Sequence, residues 1–254
     1  MNYGFYGKLP CKGDFILKGL PADFITPLDQ WLQQGIALSR ERLAERWEQL
    51  YMVSPIWHFY FPKGVCGDEG WVGSMMPSVD KANRLFPFVV ACQVNHRLTV
   101  EQLGQQAIQQ WYMEMSGWLL SVLELESCDT EALYRELISI PCPPMESDRE
   151  STAETGYFVR TQSTLDGHGF IPLANQITGS LLSGAIFWRF HEESREPAIL
   201  LGSFGLPTTE QYVALYDERW DDHHWRSPIS LWETKADDEE WDDKTVPYYS
   251  SHTR

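Results

Sequence analysis

Two apolar runs of strand length, residues 71–77 and 85–93, flank a polar knot, Ser78-Val79-Asp80-Lys81-Ala82-Asn83-Arg84. The second run contains Phe86-Pro87-Phe88-Val89-Val90-Ala91-Cys92, rich in β-branched and aromatic residues without a polar break, which predicts a buried strand. Pro87 belongs at its start or on an edge, because proline has no N–H for a ladder. Residues 56–61 read as another strand, and the hairpin-length loop 62–70 makes it the antiparallel neighbour of 71–77. Tyr3 to Tyr6 predicts a short aromatic strand that delivers the chain into a shaped loop, Gly7-Lys8-Leu9-Pro10-Cys11-Lys12-Gly13-Asp14-Phe15.

Helical spacing is equally plain elsewhere. Leu28, Trp31, Leu32, Ile36, Ser39 and Leu43 form one apolar face, with Thr26 as expected N-cap, Pro27 in the first turn and Asp29 as the carboxylate of a capping box. Trp47, Leu50 and Tyr51 continue that face until Ser54-Pro55 stops it. Residues 100–125 predict one long helix, with Thr99 and Gln102 as its capping box and Leu103, Ile108, Trp111, Met115, Trp118, Leu119 and Val122 on its apolar side. A shorter helix is expected over 131–138, strands over 157–162, 184–190 and 198–202, and a last helix capped by residues 205–211. One-sided helices need a sheet to cover, and hairpin-length connections make that sheet mainly antiparallel. The pattern gives a single α/β domain over 1–216, with a polar, proline-bearing linker or excursion near 143–156, and an acidic, Trp-containing tail over 217–254.

Composition narrows the function. The chain has 254 residues, 43% of them hydrophobic, enough for a sizeable core. With 36 acids against 20 bases, its net charge of −16 repels nucleic acid and anionic membranes unless a basic patch is segregated, and no run of bases supplies one. No stretch approaches the ~18 apolar residues of a spanning helix, and the N-terminus lacks the basic-then-apolar pattern of a leader, so neither membrane insertion nor export is expected. Five scattered cysteines, without a C-x-x-C pair or metal-ligand spacing, read as reduced thiols of a cytoplasmic protein.

Candidate chemistry is sparse. The Gly7–Asp14 loop suggests phosphate binding, but the G-x-x-x-x-G-K-[ST] spacing is missing and Asp14 would repel the anion. His58, among aromatics, reads as a core histidine, and Cys92 as a small core residue. His223 and His224 beside Asp221 and Asp222 could ligate a divalent metal, yet adjacent residues rarely converge on one centre, so no metal and no cofactor is expected. What remains is a set of polar residues on two loops: Lys8, Asp14, Ser78, Asp80 and Arg84. Two roles stay open for them, a buried polar brace in which Asp80 or Asp14 pairs with Arg84, or a partner-recognition surface. The competing reading is a hydrolase using Asp14, Asp80 and His58.

Three segments carry a family likeness: Gly4-Phe5-Tyr6-Gly7-Lys8-Leu9-Pro10 with Gly13-Asp14-Phe15; the helix from Trp31-Leu32 to Ser39-Arg40; and Pro77-Ser78-Val79-Asp80 with Arg84-Leu85-Phe86-Pro87-Phe88. Together they resemble the type VI secretion-associated family TagF, also called ImpM, over roughly residues 1–215. The resemblance implies a non-enzymatic cytoplasmic accessory protein with a three-layer α/β/α sandwich and a mixed, mainly antiparallel central sheet. It further implies post-translational repression of the secretion apparatus through that system's forkhead-associated scaffold protein. Where the family usually carries glycine before the arginine, this chain has Asn83, which also visits positive φ and so keeps the turn while adding bulk.

Overall fold

The central strands are apolar on both faces, and the computed structural model shows why: helices cover the sheet on both sides. It describes residues 2–95, 98, 100–103, 105–142, 184–190 and 197–225. Seven strands, β1 (Tyr3–Gly7), β2 (Ile16–Lys18), β3 (Trp57–Phe61), β4 (Gly70–Met76), β5 (Phe88–Val94), β6 (Ile186–Phe190) and β7 (Pro197–Gly202), lie in the order β2-β1-β5-β4-β3-β6-β7. Every pairing among these strands is antiparallel, so the sheet expected to be mixed is antiparallel throughout its described part.

Alternation along each strand assigns the faces. Val89 and Ala91 of β5, Trp71 and Met75 of β4, and Trp57, Phe59 and Phe61 of β3 join one core. Phe88, Val90 and Cys92, Val72 and Met76, and Tyr60 join the other. The first core is closed by α1 (Ala22–Leu43), α2 (Trp47–Met52) and the late helix, which becomes α6 (Thr209–Asp217) after α3 (Val100–Leu103), α4 (Gln106–Leu123) and α5 (Thr130–Ser139). Residues of α3, α4 and α5 close the second core. The three-layer α/β/α sandwich follows directly.

Three local expectations are corrected. Helix α1 starts at Ala22, not at Thr26, and places Pro27 inside it. The extra turn is held by Phe24, fully buried and stacked on Trp71 at 4.1 Å. Asp29 is consequently no capping partner; its carboxylate accepts from the Tyr6 hydroxyl at 2.5 Å and from Gln33 at 2.7 Å. The helix expected over 100–125 is broken, because Gln105 takes an extended backbone next to Gly104, a poor helix former. Thr99 and the strand expected over 157–162 lie outside the described residues, as does the excursion near 143–156.

The third correction concerns the cysteines. Cys11 and Cys128 are joined with their Cα atoms 5.9 Å apart across 117 residues of sequence, and Cys92 and Cys142 at 6.8 Å across 50. Spacing along the chain carries no trace of either pairing, because the packing of α5 on the sheet creates both. Cys66 alone stays a thiol, and burial pushes it up to about 12, which leaves it inert near neutral pH.

Candidate functional site: a braced loop junction

Sheet register explains why two loops far apart in sequence meet. Gly7, the last residue of β1, pairs with Phe88, and Met76, the last of β4, pairs with the same Phe88. The loop leaving β1 and the β4–β5 connection therefore emerge side by side. Gly7 has φ +133°, and a Cβ built there would lie 2.1 Å from the Pro87 carbonyl oxygen, so the entry to this loop needs glycine.

At the junction the Asp80 carboxylate is the hub, with no exposed side-chain surface. One oxygen accepts from the backbone N–H groups of Ala82 and Arg84, both at 2.9 Å; the other takes Lys8 Nζ at 3.1 Å and Arg84 Nε at 2.7 Å. Burial alone would raise this carboxyl's pKa. The Arg84 N–H, the Lys8 ammonium, the Ala82 N–H and the Arg84 guanidinium overcome it and hold the group well below the usual carboxylate range. Asn83 sits at φ +58°, the left-handed conformation that lets the turn close on the carboxylate. Arg84 also donates to the Gly13 carbonyl at 2.7 Å, and Lys81 N–H to the Lys12 carbonyl at 2.8 Å, so each side of the turn is tied to the first loop.

Ser78 completes the joint: its hydroxyl donates to the Lys8 carbonyl at 2.7 Å. The Tyr51 hydroxyl both donates to the Ser78 carbonyl and accepts from its N–H, each at 2.9 Å, and burial raises that phenol far above its ordinary pKa. Sequence reading placed Tyr51 on an apolar helix face and missed this clamp, for which the sequence carries no local signal. Asp14 stands apart. It is exposed, and its carboxylate accepts the N–H of Phe15 at 2.8 Å. Of the five candidates, the structure thus gathers Lys8, Ser78, Asp80 and Arg84 and leaves Asp14 at the margin.

The hydrolase geometry is not assembled by these contacts. His58 lies in mid-sheet, 1% exposed, with Nδ1 2.8 Å from the Ser74 hydroxyl and its ring against Tyr112 and Trp188. Burial lowers its pKa to about 3, so it is neutral at physiological pH but sealed from solvent and from the Asp80 hub. In the tail, His223 Nε2 is 3.0 Å from an Asp217 oxygen while His224 is exposed, so the adjacent histidines diverge. Among the described residues no group of three His, Cys, Asp or Glu side chains could hold a metal ion. Trp220 packs against Trp57, and Trp225 is buried with its indole N–H donating to the Gln211 carbonyl, so residues up to 225 rest on the first core.

Beside the junction runs an open apolar groove of about 330 Å³, lined by Pro10, Ser78 and Val79 from the braced loops, by Met52 and Ile56 near the end of α2, and by Leu120 and Leu123 of α4. Met52, Val53 and Leu120 are each more than half exposed around it. On the loop side Lys12 and the exposed Lys81 and Arg84 follow within a few residues of the lining.

These features define a class: a three-layer α/β/α domain with a braced, cation-bearing turn on a connection whose first residues line an apolar groove. The family model described as TagF N-terminal domain, Type VI secretion system-associated, matches residues 4–140, more than half of the chain, and the chain belongs to that family. Among solved structures, that of PA0076 from Pseudomonas aeruginosa PAO1 is 30% identical with a TM-score of 0.64, covering 84% of this chain and 93% of the other. Among curated proteins none matches. In the described residues no helix is long and apolar enough to cross a membrane.

Proposed function

We propose that this chain is a cytoplasmic, non-enzymatic repressor of a type VI secretion system, acting after translation by binding that system's forkhead-associated scaffold protein. Membership of the TagF family supports the secretion context. The observation that carries the binding reading is the double state of Arg84: its Nε and terminal nitrogen are fixed by Asp80 and Gly13, yet 59% of its side chain is exposed. A brace alone would be served by a buried cation, and Lys8 already supplies one. A pre-ordered arginine on the same connection whose Ser78 and Val79 line the apolar groove offers a rigid cation of the kind interface centres use, at little ordering cost on binding.

Affinity capture tests this. Tagged wild-type protein is expected to retain the scaffold from lysates of cells carrying the secretion system, and Arg84→Glu to lose at least about tenfold of it, as for a central interface residue. Equal capture by a folded Arg84→Glu variant would overturn the reading.

A further inference from the structure

The two disulfides bracket one helix. Cys128 lies two residues before α5 and Cys142 three residues beyond it; their partners, Cys11 and Cys92, lie in the first junction loop and on β5. The pairs differ in access. Cys92 is fully buried under the helix layer and only its partner Cys142 is half-exposed, whereas Cys11 and Cys128 are both half-exposed, Cys128 within a surface loop over 124–129. Attack on one sulfur of a disulfide expels the other as a thiolate; attack at Cys142 would expel Cys92 into the apolar core, whereas either sulfur of Cys11–Cys128 can leave at the surface, so that bond is the one open to exchange.

The position of Cys11 gives that exchange a consequence. The next two residues supply the carbonyls that tie the turn to the first loop: Lys12 accepts from Lys81 N–H, and Gly13 from the Arg84 guanidinium. We propose that Cys11–Cys128 is a thiol–disulfide exchange site for a small monothiol of the glutathione class, and that its redox state sets the order of the 81–84 turn. The monothiol thiolate attacks one sulfur and forms a mixed disulfide, expelling the other as a thiolate that takes up a proton. A second monothiol releases the first cysteine, so the protein gains two electrons and two protons as two thiols and the monothiol leaves as its own disulfide. Freed from Cys128, the loop over 9–13 loses its covalent tie to the start of α5, and its grip on Lys81 and Arg84 weakens. In a cytoplasm, where thiols are kept reduced, such a half-exposed pair acts as a sensor and not as a permanent staple. The switch bears on function through the proposal that this turn binds the scaffold.

The test uses the full chain in glutathione buffers of graded potential. Alkylation with mass spectrometry is expected to trap Cys11 and Cys128 as thiols while Cys92 and Cys142 remain paired. Hydrogen exchange at residues 81–84 is expected to speed up about tenfold on that reduction and to return on reoxidation. In Cys11→Ser/Cys128→Ser it should be fast and indifferent to potential. Opening of Cys92–Cys142 first, or equal exchange at 81–84 in both states of the wild-type chain, would overturn the switch. Because exchange is read without any partner, a failure of scaffold capture would count against the binding reading alone.

Discussion

Asp80 and His58 are both buried, titratable and polar, and their surroundings push them to opposite ends. Asp80 is met by two cations and two backbone N–H groups and stays ionised. His58 is met by a hydroxyl and aromatic rings and stays neutral. The difference lies in position along the sheet. His58 sits within β3, 1% exposed, with both faces of the sheet covered. Asp80 sits where strands end and loops cross, so the groups satisfying it continue outwards to an exposed arginine. A buried polar group is thus informative about function when its partners lead to the surface, and is otherwise part of the packing.

Removing the hub should have the largest effect. Asp80→Ala leaves Lys8 buried without its counter-ion and two turn N–H groups without an acceptor, and is expected to lower Tm by on the order of 10 °C in a thermal scan. A variant melting within about 2 °C of wild type would mean the loops are held by other contacts.

Acid separates the two groups next. Between about pH 6.5 and about 3 the unfolded chain takes up a proton at position 58 that the folded chain refuses, so stability falls with falling pH by up to about 1.4 kcal/mol per unit. Asp80, depressed in the fold, contributes stability that is complete above the ordinary carboxylate range and is lost only as pH falls below it. Denaturant titrations of His58→Gln should therefore lose the slope between pH 6.5 and 4 and keep the steeper loss below it. An unchanged slope in the upper window would show that His58 is protonated in the fold.

Lys8→Met should act less severely, because Arg84 still neutralises the carboxylate. A loss of about 2 kcal/mol is expected by urea unfolding, with no further loss when Arg42, ion-paired with Glu210 of α6, is changed to Met in the same chain beyond its own separate effect. Non-additivity between Lys8 and Arg42 would contradict the local character of the brace.

Much of this was legible in sequence, in a graded way. The β3–β4 hairpin follows from two apolar runs and a loop of hairpin length; the left-handed Asn83 follows from its residue type; and the capping box of α6, Thr208 with Gln211, is a short-range signal. The start of α1 was misplaced because Pro27 imitates a first turn, and the deciding contact, Phe24 on Trp71, spans distant elements. The pairings of β1 with β5 and of β3 with β6 and the meeting of Lys8 with Asp80 are products of strand order, and both disulfides of how α5 packs on the sheet, neither of which hydrophobic periodicity encodes. Asp14 was grouped with the others for its charge, but a local turn already satisfies its carboxylate.

The smallest structural change carries the most weight. Arg84→Ala removes a largely exposed cation and leaves Lys8 and the backbone N–H groups on the Asp80 carboxylate, so the melting temperature should shift by no more than about 4 °C. The decisive measurement pairs that melt with a secretion assay in cells. Normal melting with lost repression is the predicted result; normal melting with intact repression would contradict the assignment of this turn as the recognition surface.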